Sequence, residues 1–256
     1  MIEKVTQMQR AEALFDGWQE TMIRSCLQQI MGEIYAPRGR QEYSAMAILG
    51  DFCFFAGKPE RELTLFKPEN KREQDFIIMV PQNEGWAEMI ETCYGEKARK
   101  VSRYALKKEP DVFDRDRLER IRDGLPGDCR LVEMDEKLFG ICRKTDWCRD
   151  WVSQYADYET YRKWGLGVVA LKGDEPVSGA SSYTRYLEGI EIEIDTKEPF
   201  RRKGLAASCG AALILACLER GLYPSWDAQN PWSLALAEKL GYHYSHTYTA
   251  YEIWGY

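Results

Sequence analysis

The sequence predicts an α/β protein (α+β class) with strands and helices in both halves, and three observations carry this prediction. Residues 190–196 alternate apolar and acidic side chains, which is typical of a strand with one apolar face and one carboxylate face. The apolar run that follows, up to Cys217, is too long and too poor in β-branched residues for a second strand, so it is predicted as a helix. A strand, a helix and a strand then follow between residues 223 and 253.

The first half begins with a predicted amphipathic helix, because apolar side chains recur every four residues between Leu14 and Ile30. Five more elements follow it: an apolar run at 45–55, strands at 76–80 and 101–106, and helices at 86–93 and 115–122. Turn-forming residues at 124–127 then interrupt the pattern, as they do between domains. The sequence therefore predicts domains at 1–125 and 126–256.

The second half has the pattern of one further α/β domain. Its other predicted elements are a strand at 129–134, one or two helices within 138–162, a hairpin of strands at 168–171 and 179–185, a strand at 223–226, a helix at 233–240 and a strand at 244–253. Together with the acidic strand and the helix up to Cys217, they give a sheet with helices around it.

The turn after the acidic strand has the composition of an anion site. Its residues are first basic and then small: Arg201, Arg202, Lys203, Gly204, Leu205 and Ala206. A helix start exposes unpaired N–H groups and a partial positive charge, so it can bind a phosphate, and Gly204 lets such a ligand approach the main chain. An ordinary turn with solvated basic residues is the alternative. The common dinucleotide and P-loop patterns do not match.

The segment from Arg201 to Ala206 resembles the acetyl-CoA signature of GCN5-related N-acetyltransferases (GNAT), written R/Q-x-x-G-x-G/A. A second signature of that family is an asparagine, a helix and a closing lysine-x-glycine-aromatic, which Asn230 and residues 239–242 resemble. The two motifs lie in the family's order and cover roughly the last half of the chain. Residues 226–244 look closest to the branch that includes zwittermicin-A-resistance-type acetyltransferases.

The resemblance implies a GNAT fold, which is a mixed, mostly antiparallel sheet flanked by helices, with acetyl-CoA as the cosubstrate. Main-chain groups of the loop would hold the pyrophosphate. The strand before the loop, and Asn230 at the start of the later helix 233–240, would hold the pantetheine arm from its two sides. The cofactor-binding residues expected on this basis are Ile194, Asp195, Thr196, Arg201, Arg202, Lys203, Gly204, Leu205, Ala206, Asn230 and Ser233. In the family, the region 138–162 covers the acceptor, where aromatic rings either make cation–π contacts with an amine or simply pack.

The first half repeats part of this order. A strand, Asn83, a helix and Gly95 follow one another there. The same order ends the chain, with Asn230 and Gly241 at the corresponding places. The first half is therefore interpreted as a degenerate GNAT-like lobe, with coincidence as the alternative. Residues 57–74 contain no R-x-x-G-x-G/A equivalent, so this lobe is expected to hold no cofactor.

Acetyl transfer to an amine needs a base, and the acidic strand offers three carboxylates. Glu191, Glu193 and Asp195 share one face, where crowding of like charges is expected to raise the pKa of at least one of them. A raised pKa suits a base at neutral pH. Because several relatives use a glutamate of this strand, Glu193 is expected as the catalytic base and Glu191 as the next candidate. A bulge in the strand would bring in Glu188, and a merely solvated acidic face is the alternative.

The acid that would protonate the leaving thiolate is not evident. Many members of the family carry a tyrosine at the position of Ala237. Tyr242, Ser233 or water would have to replace it, or the thiolate leaves without help. Positioning of the reactants can supply much of the rate in either case.

Composition argues against several other classes of protein. The formal net charge of −6 provides no basic field for nucleic acid. The eight cysteines form no C-x-x-C pair and there are only two histidines, so no metal site is expected. No signal-peptide pattern is evident, and no apolar run reaches the roughly 18 residues that span a bilayer. A cytoplasmic protein without a membrane partner is therefore expected.

These observations predict an N-acetyltransferase that moves an acetyl group from acetyl-CoA to a primary amine of a small molecule by direct attack in a ternary complex. Two alternatives stay open. One is a non-catalytic acyl-CoA-binding or regulatory protein, and the other is an acetyltransferase that acts on a protein or peptide. The identity of the amine and the oligomeric state, a homodimer included, are not fixed by the sequence.

Overall fold

The computed structural model describes residues 1–39 and 42–256, which form two compact units. One unit comprises residues 1–103 and 247–256, and the other comprises residues 104–246. The chain is an α+β protein with two mixed sheets, so the predicted fold class is confirmed.

The first unit contains seven strands and four helices in its described residues. They are β1 (Ile2–Lys4), α1 (Gln9–Glu12), α2 (Thr21–Leu27), β2 (Glu33–Pro37), β3 (Ser44–Leu49), β4 (Phe52–Gly57), α3 (Arg61–Thr64), β5 (Phe76–Pro81), α4 (Glu84–Tyr94), most of β6 (Ala98–Leu106) and the end of β13 (Tyr244–Trp254). Its strands lie in the order β1-β2-β3-β4-β5-β13-β6. The pairing of β4 with β5 is parallel, whereas β13 pairs with β5 in the antiparallel sense.

The amphipathic helix predicted between Leu14 and Ile30 is much shorter in the structure. Only Thr21–Leu27 is α-helical, and Leu14 lies in a separate 3-10 turn. Gly17 between them has φ +75°, a left-handed conformation that ends a helix. The four-residue spacing thus runs across two separate segments of the chain.

The first lobe repeats a local feature of the second unit but not its phosphate loop. Asn83 accepts a hydrogen bond from the main-chain nitrogen of Trp86 (3.2 Å) and caps α4. Asn230 caps the last helix of the chain in the same way. Between β4 and β5, however, the only α-helix is the four-residue α3 (residues 58–75 are all described), so no long helix starts there to receive a phosphate.

The second unit surrounds one long apolar helix. Its elements are α5 (Arg115–Asp123), β7 (Cys129–Glu133), α6 (Glu136–Arg143), α7 (Tyr158–Trp164), β8 (Gly167–Lys172), β9 (Glu175–Tyr186), β10 (Gly189–Thr196), α8 (Leu205–Glu219), β11 (Tyr223–Ser225), β12 (Asp227–Ala228) and α9 (Pro231–Leu240). The sheet order is β11-β10-β9-β8-β7, and β10 with β11 is its parallel pair. Helix α8 packs against β8, β9 and β10, and its side chains form the centre of the core.

Helix α5 belongs to this second unit. It packs against α8, and the hydroxyl of Ser208 on α8 donates to the carbonyl oxygen of Ile121 (3.0 Å). Residues 104–125 thus lie with the second compact unit, although the sequence places them before its predicted boundary at 125 and 126. Where the chain separates into independently folding domains stays a prediction.

Candidate functional site

Strand β10 has one apolar and one acidic face, as its alternation predicts. Ile190, Ile192 and Ile194 pack in the core with α8, so the acidic side chains point to the opposite face of the sheet. The register with β9 shifts between Glu191 and Ile192. The extra residue at this bulge is Tyr183 on β9, so the alternation of β10 itself is unbroken.

Strands β10 and β11 separate in the middle of β10. Their parallel pairing ends at Glu191 and Ser225. The chain then turns to β6, where Asp227 pairs with Ala105. Among the described residues, the stretch 192–196 of β10 pairs with β9 alone, so main-chain groups on its other edge face the opening. The predicted arm-binding residues on this stretch are Ile194, Asp195 and Thr196.

The loop between β10 and α8 ends in a left-handed glycine. Gly204 is the N-cap residue of α8 and has φ +87°, a conformation that favours glycine. A Cβ built on Gly204 would have no atom within 4 Å, so the space above the helix start is open. Leu205, Ala206 and Ala207 form the first turn, and their N–H groups have no partner within the helix. This is the geometry of an anion site.

Basic side chains stand around this opening. They are Arg201, Arg202 and Lys203, and all three are exposed. Arg201 donates from Nε to the carbonyl oxygen of Thr196 (3.0 Å), which ties the loop to the end of β10. Arg202 has φ +65°, and its guanidinium lies 5.8 Å from the ring centre of Trp232. Positive charge is therefore concentrated beside the helix start.

The start of α9 lies next to the same loop. Asn230 caps this helix, because its Oδ1 accepts a hydrogen bond from the main-chain nitrogen of Ser233 (2.9 Å). Trp232 lies in the first turn and is 75% exposed, although an indole usually packs. Its contact with Arg202 brings the two helix starts together. Sequence reasoning missed Trp232, because the exposure of a side chain depends on packing that its neighbours in the sequence do not reveal.

The structure does not identify a general acid, but it argues against one of the candidates, Tyr242. Ala237 is fully buried in the core around α8. The hydroxyl of Tyr242 donates to the carbonyl oxygen of Pro224 (2.7 Å), and burial raises the pKa of Tyr242 well above its usual value. Tyr242 is therefore held as a structural group, which leaves Ser233 or water.

The three carboxylates of β10 differ in their surroundings. Glu191 is buried, whereas Glu193 and Asp195 are half-buried. Burial, followed by the negative charge of Asp150, raises the pKa of Asp195 to about 6. A raised pKa for one carboxylate of this face is therefore found at Asp195. Its causes are burial and Asp150, rather than the crowding of like charges along β10. Glu188 lies in the exposed turn before β10, and the bulge that would have brought it in is on β9.

A 3-10 segment, Asp146–Trp151, covers the acidic face. The hydroxyl of Ser181 on β9 donates to the carbonyl oxygen of Trp151 (2.7 Å), which fixes the end of this segment to the sheet. The rings of Tyr155 and Tyr161 are buried, with their centres 4.9 Å apart. Packing, rather than recognition of a cation, is therefore the role of these two tyrosines.

Other features bear on what the chain can bind. Within residues 1–39 and 42–256, no three His, Cys, Asp or Glu side chains lie together as metal ligands. All eight cysteines are free thiols, and burial raises the pKa of Cys209 and of Cys217 to about 12. Of the helices described, none has the length and apolar character needed to cross a bilayer.

Comparison with known proteins gives a consistent result. The sequence model of a family described as GNAT acetyltransferase matches residues 12–251. The uncharacterized N-acetyltransferase YdfB of Bacillus subtilis (strain 168) is 28% identical over 200 residues, which are 69% of this chain and 76% of the relative. A crystal structure of a GCN5-related N-acetyltransferase-like protein from Streptococcus suis 89/1591 is 45% identical, with a TM-score of 0.90 over 97% of this chain and 98% of that one.

A more distant structure extends the likeness to both halves. A tandem GNAT protein from the clavulanic acid biosynthesis pathway has a TM-score of 0.51 at 10% identity, over 100% of this chain and 99% of that one. At this identity the comparison shows the fold alone. It agrees with the interpretation of the first half as a second, degenerate lobe.

Proposed function

Since the chain belongs to the GNAT acetyltransferase family, we propose that it moves an acetyl group from acetyl-CoA to a primary amine of a small molecule. The chain is an N-acetyltransferase of that family, and the reaction proposed is direct attack in a ternary complex. The observation that carries the proposal is the open helix start at Gly204 beside the separated strands β10 and β11.

The family implies an acyl-CoA cosubstrate, and the residues around α8 fit its diphosphate. The N–H groups of the first turn and the charges of Arg201, Arg202 and Lys203 would hold it. The free edge of β10 at 194–196 and the start of α9 at Asn230 and Ser233 would hold the pantetheine arm. When bound, acetyl-CoA supplies an acyl group activated as a thioester.

The length of the free strand edge indicates where the reacting carbon would lie. From Thr196 to Glu191 the strand rises by about 16 Å, at about 3.3 Å per residue. A pantetheine arm held along this edge would lead from the proposed diphosphate site towards the point where β10 and β11 separate. Glu191 and Glu193 lie close to this point along the strand, whereas Asp195 lies near the diphosphate end.

The acidic face then has two roles in the proposed reaction. Its negative charge attracts the ammonium form of the acceptor. Glu193 removes a proton from that ammonium, with Glu191 as the alternative base. The amine nitrogen forms a bond to the acetyl carbon while the C–S bond breaks, and the nitrogen then loses its second proton to solvent. The thiolate leaves either unaided or with a proton from Ser233 or water.

Trp232 is expected to contribute to cofactor affinity. Its exposed indole beside Arg202 offers a stacking surface for the adenine at the far end of coenzyme A. The Trp232→Ala variant should bind coenzyme A about tenfold more weakly, since stacking of a base on an aromatic ring is worth roughly 1–3 kcal/mol. Calorimetry should show unchanged affinity for 4′-phosphopantetheine, which lacks the adenosine.

The control for this variant is Trp254→Ala, because Trp254 is also exposed (59%) but lies at the end of the chain. It should bind coenzyme A as the parent protein does. The stacking role of Trp232 is wrong if Trp232→Ala binds coenzyme A normally. It is also wrong if the affinities for coenzyme A and for 4′-phosphopantetheine fall equally.

The proposed reaction is tested by measuring release of free thiol from acetyl-CoA with a panel of small primary amines. Acceptor-dependent release, with an acetylated amine identified by mass spectrometry, is the expected result. A panel of peptides with free termini runs beside it. Binding of acetyl-CoA with no release for any small amine would contradict the proposal, and a clear preference for peptides would favour a peptide acceptor instead.

Two finer assignments belong to the same proposal. We propose that the enzyme belongs to the zwittermicin-A-resistance-type branch, because the sequence of residues 226–244 resembles that branch. We also propose a cytoplasmic setting, which the eight free thiols support because such thiols persist in a reducing compartment.

A further inference from the structure

The first lobe and the second unit share the same strand register at one place. Thr196 on β10 stands directly opposite Ser178 on β9, and Gly57 on β4 stands directly opposite Ser44 on β3. In both cases the next residue along the strand is a lysine, whose main-chain nitrogen donates to the carbonyl oxygen of the residue before the serine (3.0 Å and 2.7 Å). Ser178 therefore corresponds to Ser44, and Thr196 corresponds to Gly57.

The two serines are both fully buried, but they differ in their partners. The hydroxyl of Ser178 donates to the carbonyl oxygen of Asp195 (3.0 Å) and lies 2.7 Å from the hydroxyl of Thr196. The hydroxyl of Ser44 has no hydrogen-bond partner among the described residues, and Gly57 opposite it offers no side chain. Since buried hydroxyls are usually paired, Ser44 marks a pairing that the first lobe lacks and the second unit has.

The hydroxyl of Ser178 controls the direction of one main-chain N–H on the free edge of β10. The nitrogen of Lys197 donates to β9. Hydrogen-bonded and non-hydrogen-bonded pairs alternate along an antiparallel ladder, so the N–H of Thr196 points away from β9. The carbonyl of Asp195 and this N–H belong to one planar trans peptide and point in opposite directions. A hydrogen bond that holds the carbonyl oxygen therefore also aims the N–H of Thr196 at the opening beside β10.

The first lobe shows what an N–H at this place binds. The main-chain nitrogen of Gly57 donates to Oε1 of Gln82 (2.8 Å), so a carboxamide oxygen is its acceptor. The main-chain nitrogen of Gln82 donates to the carbonyl oxygen of Phe55 (3.0 Å). The indole of Trp86 donates to the carbonyl oxygen of Gly57 (2.9 Å). Amide and indole groups of the chain itself thus pair with the edge of β4.

The corresponding edge of β10 is not covered in this way. Gln229 precedes the capping Asn230 as Gln82 precedes Asn83, but its side chain is exposed. Among the described residues, β11 pairs with β10 only as far as Glu191. The pantetheine arm of coenzyme A carries amide groups, and one of their carbonyl oxygens can take the place that the Gln82 oxygen has in the first lobe.

We propose that Ser178 is a positioning residue for the cofactor: together with the hydroxyl of Thr196, it aims the N–H of Thr196 at an amide oxygen of the pantetheine arm. Ser178 acts through the peptide between Asp195 and Thr196 and does not touch the arm. This inference rests on the proposed acetyl transfer, and it adds a residue that lies outside the expected cofactor contacts.

The test compares three ligands by calorimetry: coenzyme A, 4′-phosphopantetheine, and adenosine 3′,5′-bisphosphate, which lacks the arm. Ser178→Ala should bind the first two about threefold to tenfold more weakly, the usual net effect of one hydrogen bond, and the nucleotide as before. In turnover, the KM for acetyl-CoA should rise by the same factor while kcat stays unchanged. Thr196→Val keeps the shape of the side chain and removes the hydroxyl that pairs with Ser178, so it should weaken the same two ligands.

The matched control is Ser44→Ala, because Ser44 has the same register and the same burial as Ser178. It removes an unpaired hydroxyl, so all three affinities should stay unchanged and the thermal unfolding temperature should stay the same or rise. A purely structural role of Ser178 predicts that Ser178→Ala weakens the arm and the nucleotide equally, or weakens neither, and either result overturns the inference. If the parent protein binds no coenzyme A, the proposed function itself fails and the inference goes with it.

Discussion

Replacing Gly204 by glutamate is expected to lower the affinity for acetyl-CoA by at least about 100-fold. Gly204 has φ +87° and open space where a side chain would begin. A residue with a Cβ pays roughly 1–2 kcal/mol to adopt this conformation, which weakens the loop without a clash. The larger effect is local, because the new carboxylate would stand where the diphosphate is proposed to bind and would repel it. Calorimetric titration with coenzyme A measures the loss.

A matched control comes from the other end of the same helix. Gly221 follows α8, has φ +65° and also has no atom within 4 Å of a built Cβ. Gly221→Glu therefore introduces the same strain and the same charge far from the proposed diphosphate site. Both variants should unfold at similar temperatures, but only Gly204→Glu should lose the cofactor. Normal binding by a folded Gly204→Glu variant would show that the start of α8 does not hold the diphosphate.

Replacing Glu193 by glutamine is expected to lower kcat by about 100-fold to 10,000-fold, the usual contribution of a positioned base. Glutamine preserves the size of the side chain but cannot accept the proton of the ammonium. The affinity for acetyl-CoA should change little, because the proposed cofactor contacts of β10 are made by its main chain. Thiol release at saturating acetyl-CoA gives kcat, and calorimetry gives the affinity.

Asp195→Asn is the matched control, since Asp195 shares the face of Glu193 and is also half-buried. It should retain far more turnover, because Asp195 lies nearer the proposed diphosphate site and farther from the proposed acetyl group. The pKa of Asp195 is about 6. If Asp195 were the base, kcat/KM would rise as the pH increases through about 6, since only the ionised carboxylate accepts a proton. If Asp195→Asn loses both turnover and the rise of kcat/KM with pH, the catalytic base is Asp195 and not Glu193.

Much of the second unit could be predicted because its signals are local. The period-two alternation of 190–196 fixes which side chains of β10 face the core, and the structure confirms it. Gly204 and Gly241 both have positive φ at helix ends, where a residue without a Cβ is favoured. Asn230 marks the start of α9 by its capping hydrogen bond. These effects act within a few residues, so one segment is enough to read them.

The errors and omissions share a different cause. Apolar spacing between Leu14 and Ile30 suggests one helix, but the pattern does not reveal that Gly17 is left-handed. The last strand is predicted correctly at about residue 244, yet its end pairs with β5 in the first unit through contacts such as Tyr251 with Met79. Met79 lies about 170 residues before Tyr251 in the sequence. The periodicity of one strand does not identify a partner so far away.

The sequence alone determined the basic turn that ends in Gly204, the strand and helices beside it, and hence the resemblance to an acetyltransferase family. Only the tertiary structure decided what surrounds the acidic face. It places Thr184 opposite Glu191 and the indole of Trp151 on the side of Asp195, and it makes burial and Asp150 the causes of the raised pKa of Asp195. Local backbone preferences are written into neighbouring residues, whereas burial and the partners of a polar group depend on which distant segments pack together.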